Sequence, residues 1–294
     1  MLAQGILGGF SSGLAMSPVM GATPQYFKKK RGAAMGIVSS GSSLGGVVLP
    51  SILSKMLYSK LKFGWSVRIL GFIFLIILGC AALAVTPRLP PRKSNYFLFS
   101  AFKNRLYILI ICIFFFLMLG FFSPLFVLPL YAHSNGMSIG LASYLVAILN
   151  AASFPGRILP GILSDRVGKF NVLVVASAAT GLLIFCWPKV QSNAGLIIFA
   201  VAYGFSSGAI VTSMFISMVA CSDSPKNFGT YAGQGIFLAS TAALIGPPIN
   251  TALLTNPRDI DNLSYFSGSC ILVAMILALV AKIFFTTGGM FAKT

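Results

Sequence analysis

The sequence predicts an all-α membrane protein of nine helical spans, and three observations carry that prediction. Residues of the AVILMFWYC set make up 57% of the chain and charged residues only 9%, where a soluble domain carries roughly 25% charged residues. The apolar residues fall into charge-free runs of about 20, the length that crosses a hydrocarbon core about 30 Å thick. Glutamate is absent, and the four acids, Asp165, Asp223, Asp259 and Asp261, all fall near predicted loops.

Residues 2–27, 32–54 and 69–87 each supply one span. The first of these stays uncharged until Lys28, without the basic start of a signal peptide, so it reads as a span. The run 106–156 is too long for one helix, and its polar break at His133-Ser134-Asn135-Gly136 divides it into two. Residues 171–187, 194–219, 229–254 and 263–285 complete the nine, separated by turn-rich links such as Ser222-Asp223-Ser224-Pro225 and Asn256-Pro257-Arg258. Pro124, Pro129, Pro155, Pro160, Pro247 and Pro248 remove helical hydrogen bonds inside spans and predict bends.

Alternating the loops places residues 28–31, the linker, Arg166, Lys169, Lys226 and Lys293 on one side, with about twice the bases of the other. The positive-inside rule makes that side cytosolic, and the C-terminus with it. The chain thus divides into a partial bundle of three spans (1–86), a cytosolic linker (87–105) rich in bases and aromatics, and a six-helix bundle (106–294). The net charge of +17 sits in short clusters between apolar runs, which excludes a nucleic-acid surface and leaves the lipid bilayer as the partner. Cys80, Cys112, Cys186, Cys221 and Cys270 stand singly, with no disulfide or metal spacing, and read as core residues. No phosphate-cradling loop, paired carboxylates or catalytic triad spacing occurs, so neither an enzyme nor a cofactor is expected.

Gly9-Phe10-Ser11-Ser12-Gly13 recurs as Gly204-Phe205-Ser206-Ser207-Gly208, each time in a span that ends in a Pro-containing loop on the basic side. The following spans correspond too: Gly32, Gly36 and the small residues 39–46 before Pro50 parallel Gly229, Gly233, Gly235 and residues 239–246 before Pro247. Parallel repeats of this kind relate the two halves of major facilitator transporters. Three spans precede the second copy within its bundle and none precedes the first, so three further amino-terminal spans are expected.

Gly161-Ile162-Leu163-Ser164-Asp165-Arg166-Val167-Gly168-Lys169 resembles the G-x-x-x-D-R-x-G-[RK] loop of the major facilitator superfamily. Residues 26–36, followed by Ser40-Gly41, resemble the fifth-helix signature of its monocarboxylate porters, fungal members most, and Gly246-Pro247-Pro248 their eleventh helix. The resemblance implies a major facilitator helical bundle whose nine helices are equivalent to helices 4–12 of twelve. It implies secondary active transport of a small organic solute, a monocarboxylate or related organic anion, by alternating access and with coupling to protons or a second solute. The acid expected one turn before the eighth-helix arginine is replaced by Ser153. An exporter of drugs or secondary metabolites is the alternative, and a non-transporting fragment or sensor a further one. The plasma membrane is the expected location, an internal membrane such as the vacuole the alternative.

Arg157 is the candidate anchor. A charge within a span costs several kcal/mol unless it faces a cavity or pairs, and a guanidinium there can take a carboxylate in bidentate fashion. The competing reading is that it snorkels to headgroups or braces the gate. Asn150 and Ser153 lie within two turns on a nearby face. Tyr203, Ser207 and Gln234 offer uncharged hydrogen-bond partners, with helix packing as the competing role. Gly161, Asp165, Arg166, Gly168 and Lys169 form the expected gating motif: the glycine lets helices approach, and the aspartate accepts from a neighbouring helix terminus or arginine.

Overall fold

The computed structural model describes residues 3–27, 29–57, 62–84, 97–222, 227–254, 256 and 260–285. Most of the linker 87–105, the loop residues Lys28, Asp223, Lys226, Arg258 and Asp259, and residues 286–294, on which the C-terminal orientation was read, lie outside that set. The helices are α1 (Gly8–Tyr26), α2 (Arg31–Leu57), α3 (Lys62–Ala84), α4 (Arg105–Phe121), α5 (Ser123–Ser134), α6 (Ile139–Val167), α7 (Lys169–Cys186), α8 (Asn193–Ala220), α9 (Phe228–Leu253) and α10 (Asp261–Phe285). Among the described residues, eight helical stretches are long and apolar enough to cross a bilayer, with α4 and α5 together forming one of them. The exception is α1, whose sequence is diluted by Gly, Ser and Pro.

Helix edges depart from the charge-free runs. α3 begins at Lys62, a full turn and more before Ile69, and α6 continues to Val167, well past the Gly156 where its run was cut. Helices persist into the headgroup layer because their backbone bonds are internal and basic side chains reach water along an apolar stem. Arg68, for example, lies on the exposed face of α3 with its guanidinium 5.3 Å from the Trp65 ring.

The expected bend in the span 105–134 is a break at Phe122. Pro124 has no N–H for the Gly120 carbonyl, which instead accepts from the Ser123 hydroxyl at 3.2 Å. The neighbouring Phe121 carbonyl accepts from Tyr203 Oη on α8 at 2.5 Å. Ser123 also meets Ser267 of α10 at 2.5 Å and accepts from Asn250 Nδ2 of α9 at 2.7 Å. A buried polar knot thus ties the break to two further helices without leaving these hydroxyls unsatisfied.

In the second half, α10 packs on α4 and α7, α7 on α8, α8 on α6, and α9 on α4. Tyr107, Ile110, Leu117, Trp187, Leu196 and Tyr203 are buried at its centre. Trp187, Phe199 and Tyr203 form a continuous stack, with ring centroids 5.5 and 5.8 Å apart. In the first half, Phe72, Leu75, Ile76 and Leu83 of α3 are exposed, as an apolar helix facing lipid should be. The cysteines divide: Cys221 and Cys270 are in the core, but Cys80, Cys112 and Cys186 are exposed and so are not core residues. In a bilayer an exposed thiol faces lipid as readily as it faces protein, so apolar surroundings in sequence do not imply burial.

Candidate functional site

The two halves meet chiefly where α2 lies antiparallel against α6, with α2 also touching α8 and α1 touching α9. α2 presents Gly32, Gly36, Ser39, Ser43 and Gly46, spaced by four and three residues, a seam that stays on one side of a helix. Small residues let the backbones approach closely in the absence of a hydrophobic drive between helices. A Cβ on Gly36 would lie 2.5 Å from the Arg157 carbonyl oxygen, and one on Gly161 would lie 2.5 Å from that of Gly32. Gly21 of α1 and Gly229 of α9 close the same end, a Cβ on Gly21 reaching 3.0 Å from the Gly229 Cα. One turn further, Gly233 has nothing within 4 Å of its Cβ position.

At the basic end, Asp165 holds the start of α2. Its two carboxylate oxygens accept from the backbone N–H groups of Gly32 at 2.8 Å and Ala33 at 3.0 Å. Both donors belong to the first turn of α2, where N–H groups lack helical partners and the helix dipole favours a negative charge. Gly168 turns the chain from α6 into α7 at φ 97°, which a side chain would disfavour, and its N–H donates to the Ser164 carbonyl at 3.1 Å. Arg166 is exposed, and the Lys169 ammonium sits 5.6 Å from the Phe170 ring centroid. Arg31 of α2 likewise lies 5.4 Å from the Phe228 ring of α9, joining the halves through a cation–π contact.

Arg157 sits about 15 Å along the axis from the end of α6. Its guanidinium crosses to α2, where Nη1 donates to the Ser39 carbonyl at 2.6 Å and to the Ser42 hydroxyl. Nε donates to Ser153 Oγ at 3.3 Å, and Ser153 in turn accepts from Ser43 at 3.3 Å. Thr212 of α8 donates to the Arg157 carbonyl at 3.1 Å and faces the Ser39 hydroxyl at 3.2 Å. One cation therefore joins α6 to α2 through neutral oxygens, beside a serine-threonine net that reaches α8. Asp165, eight residues further along α6, is engaged with the α2 terminus.

Of the residues singled out in the sequence, the fold brings Arg157 and Ser153 together and places Asn150 against Gly46, with Asn150 Nδ2 bonded back to the Val146 carbonyl at 2.9 Å. Three others go elsewhere. Tyr203 is buried with its hydroxyl on Phe121. Ser207 is buried with its hydroxyl on the Gly204 carbonyl at 3.1 Å. Gln234 is buried on α9, its amide without a hydrogen-bond partner among the described residues. Ser39, Ser42, Ser43 and Thr212 were missed, although the small-residue spacing on α2 was a signal for the first and third.

The multi-span helical bundle with two contacting halves is the architecture of a polytopic membrane protein. The chain matches the profile of the Major Facilitator Superfamily over residues 1–247 and belongs to that family, one of transporters rather than enzymes. It is 46% identical over 98% of its length to the aspyridones efflux protein apdF of Emericella nidulans. It is 39% identical over 98% of its length to the agnestins efflux protein AgnL12 of Paecilomyces divaricatus, and 35% identical over 96% to the MFS transporter asaE of Aspergillus flavus. The chain spans 59%, 66% and 65% of those three proteins. In fold it is similar to the transporter FucP in its outward conformation, with a TM-score of 0.69 at 16% identity, covering 88% of this chain and 70% of that one.

Proposed function

We propose that the chain acts in the export of small organic secondary metabolites by alternating access, in the plasma membrane, with its basic end and C-terminus in the cytosol. The observation that carries this reading is the 46% identity, over nearly the whole chain, to a protein named for efflux of aspyridones. A second relative, named for efflux of agnestins, supports export over the monocarboxylate uptake implied by the fifth-helix motif. The contacts suggest a working scheme in which the cytosolic end is shut in this state. Loading from the cytosol then requires α2 to part from α6, which breaks the Asp165 cap and the Arg157 bonds to Ser39 and Ser42. Arg157 is the anchor for an anionic group of the solute. A carboxylate can take the guanidinium through two parallel charge-assisted bonds, which no single serine oxygen offers, so such a group competes with the serines and favours the parted state. Proton coupling belongs to the same proposal.

The test is flux into inside-out vesicles carrying the chain, with an aspyridone and with lactate as alternative solutes. Uptake of the aspyridone, lost in Arg157→Ala, is the expected result. Uptake of lactate alone overturns export in favour of monocarboxylate transport, and absence of flux with either solute overturns transport by this chain.

A further inference from the structure

α6 and α7 are consecutive and joined at Gly168, yet each packs chiefly on α8 or α10 rather than on the other. The α6–α8 contact is drawn tight by glycines. A Cβ on Gly156 would lie 2.8 Å from the Phe205 Cα, and one on Gly208 2.7 Å from the Ser153 carbonyl oxygen. With α6 pulled toward α8 on this face, a furrow opens between α6 and α7, floored by Phe205, Ser206 and Ala209 of α8.

The furrow holds two adjoining cavities, of about 480 Å³ and about 690 Å³, which share Ala179, Phe205 and Ser206. The first opens at the basic end between Arg166 and Asn171, and the second runs on toward Leu182, Cys186 and Val201. Alanines at 152, 176, 179, 202 and 209 keep the walls low, and Pro155 and Pro160 stand on the α6 side. From Asn171 to Cys186 the furrow follows α7 for about 22 Å, more than one leaflet of a core about 30 Å thick. Apart from Arg166, Asn171 and Ser206, its lining is apolar, and Ser206 is occupied with the Tyr203 carbonyl at 3.2 Å.

We propose that this furrow binds one acyl chain of an anionic phospholipid, its phosphate seated on Arg166 at the basic end. Charge complementarity selects the occupant. Arg166 is the cation of the mouth and is exposed, while the adjacent Asp165 turns its carboxylate to α2. Asn171 Nδ2 gives one of its two N–H groups to the Val167 carbonyl at 2.6 Å and carries no charge, so the guanidinium is the cation that meets the phosphate. A lipid held there wedges α6 from α7 behind the face of α6 that carries Arg157.

The full chain, reconstituted in phosphatidylcholine vesicles doped with a phosphatidylserine bearing a diazirine at one acyl terminus, tests this. Adducts are mapped by mass spectrometry. Adducts on the furrow walls should exceed those on the equally apolar, exposed residues Phe72, Leu75 and Ile76 of α3. Arg166→Gln should lower the furrow yield about fivefold, and Ala179→Phe, which fills the furrow without touching the charge, should abolish it while the α3 adducts persist. Equal labelling of furrow and α3, equal labelling by a phosphatidylcholine diazirine probe, or an unchanged yield in Arg166→Gln overturns the proposal. So does occupation of the furrow by a helix of a second copy, seen as chain-to-chain adducts in place of lipid ones.

Discussion

The pentapeptide Gly-Phe-Ser-Ser-Gly occurs twice, and its two copies live in opposite surroundings. In α8, Gly204 and Gly208 are pressed on α6: a Cβ on Gly204 would collide with the Leu149 carbonyl, and one on Gly208 with Ser153. In α1, Gly9 and Gly13 have nothing within 4 Å of their Cβ positions, and Phe10 is 68% exposed against 41% for Phe205. The serines do not make the difference, because both copies bond them back to their own helix, Ser11 and Ser12 at 2.6 and 2.8 Å, Ser206 and Ser207 at 3.2 and 3.1 Å. The motif is thus an invitation to close helix approach, and its energetic weight depends on whether a second helix accepts it.

The largest expected effect tests that contrast directly. Gly204→Val should lower the stability of the purified chain by about 3 kcal/mol, since the added atoms meet fixed backbone, read as a fall in the thermal midpoint in detergent. Next in size is Asp165→Ala, which strips two first-turn N–H groups of α2 of a charged acceptor and should cost about 2 kcal/mol. Hydrogen exchange at Gly32 and Ala33 should then speed up about 30-fold, and Asp165→Asn, which keeps one acceptor oxygen, should recover part of the protection. Unchanged exchange would show that the halves hold together without this cap.

A smaller loss, about 1 kcal/mol, is expected for Tyr203→Phe, which leaves the Phe121 carbonyl at the α4–α5 break without its partner. Because the hydroxyl is committed to that carbonyl, solute flux should change little. A flux defect larger than the stability defect would put Tyr203 back in the solute path. The smallest effect belongs to the open copy: Gly13→Val should stay within about 0.5 kcal/mol in this chain. A loss equal to that of Gly204→Val would erase the comparison.

The expected site was partly legible. Arg157 stood out because charges are scarce in spans, and the Asp165 loop because its residues match a family motif. Their partners were not legible, since the Ser39 carbonyl and the α2 N–H groups lie more than a hundred positions away. Polar side chains at membrane depth look alike in sequence, whether they face a solute path or serve helix packing, the two roles left open for Tyr203 and Ser207. In the fold the first bonds to a broken helix and the second within its own.

Composition and hydropathy by themselves determined that this chain is a helical membrane bundle, where its spans lie to within about three turns, and which end is basic. They could do so because crossing a bilayer demands length, apolarity and internal hydrogen bonding, all local properties of a segment. Only the tertiary structure decided which glycines carry a helix contact, where the span 105–134 breaks, and that Arg157 bonds to serines of the other half. Those outcomes depend on which helix lies alongside, and a run of small residues specifies that a partner can come close without specifying which one does.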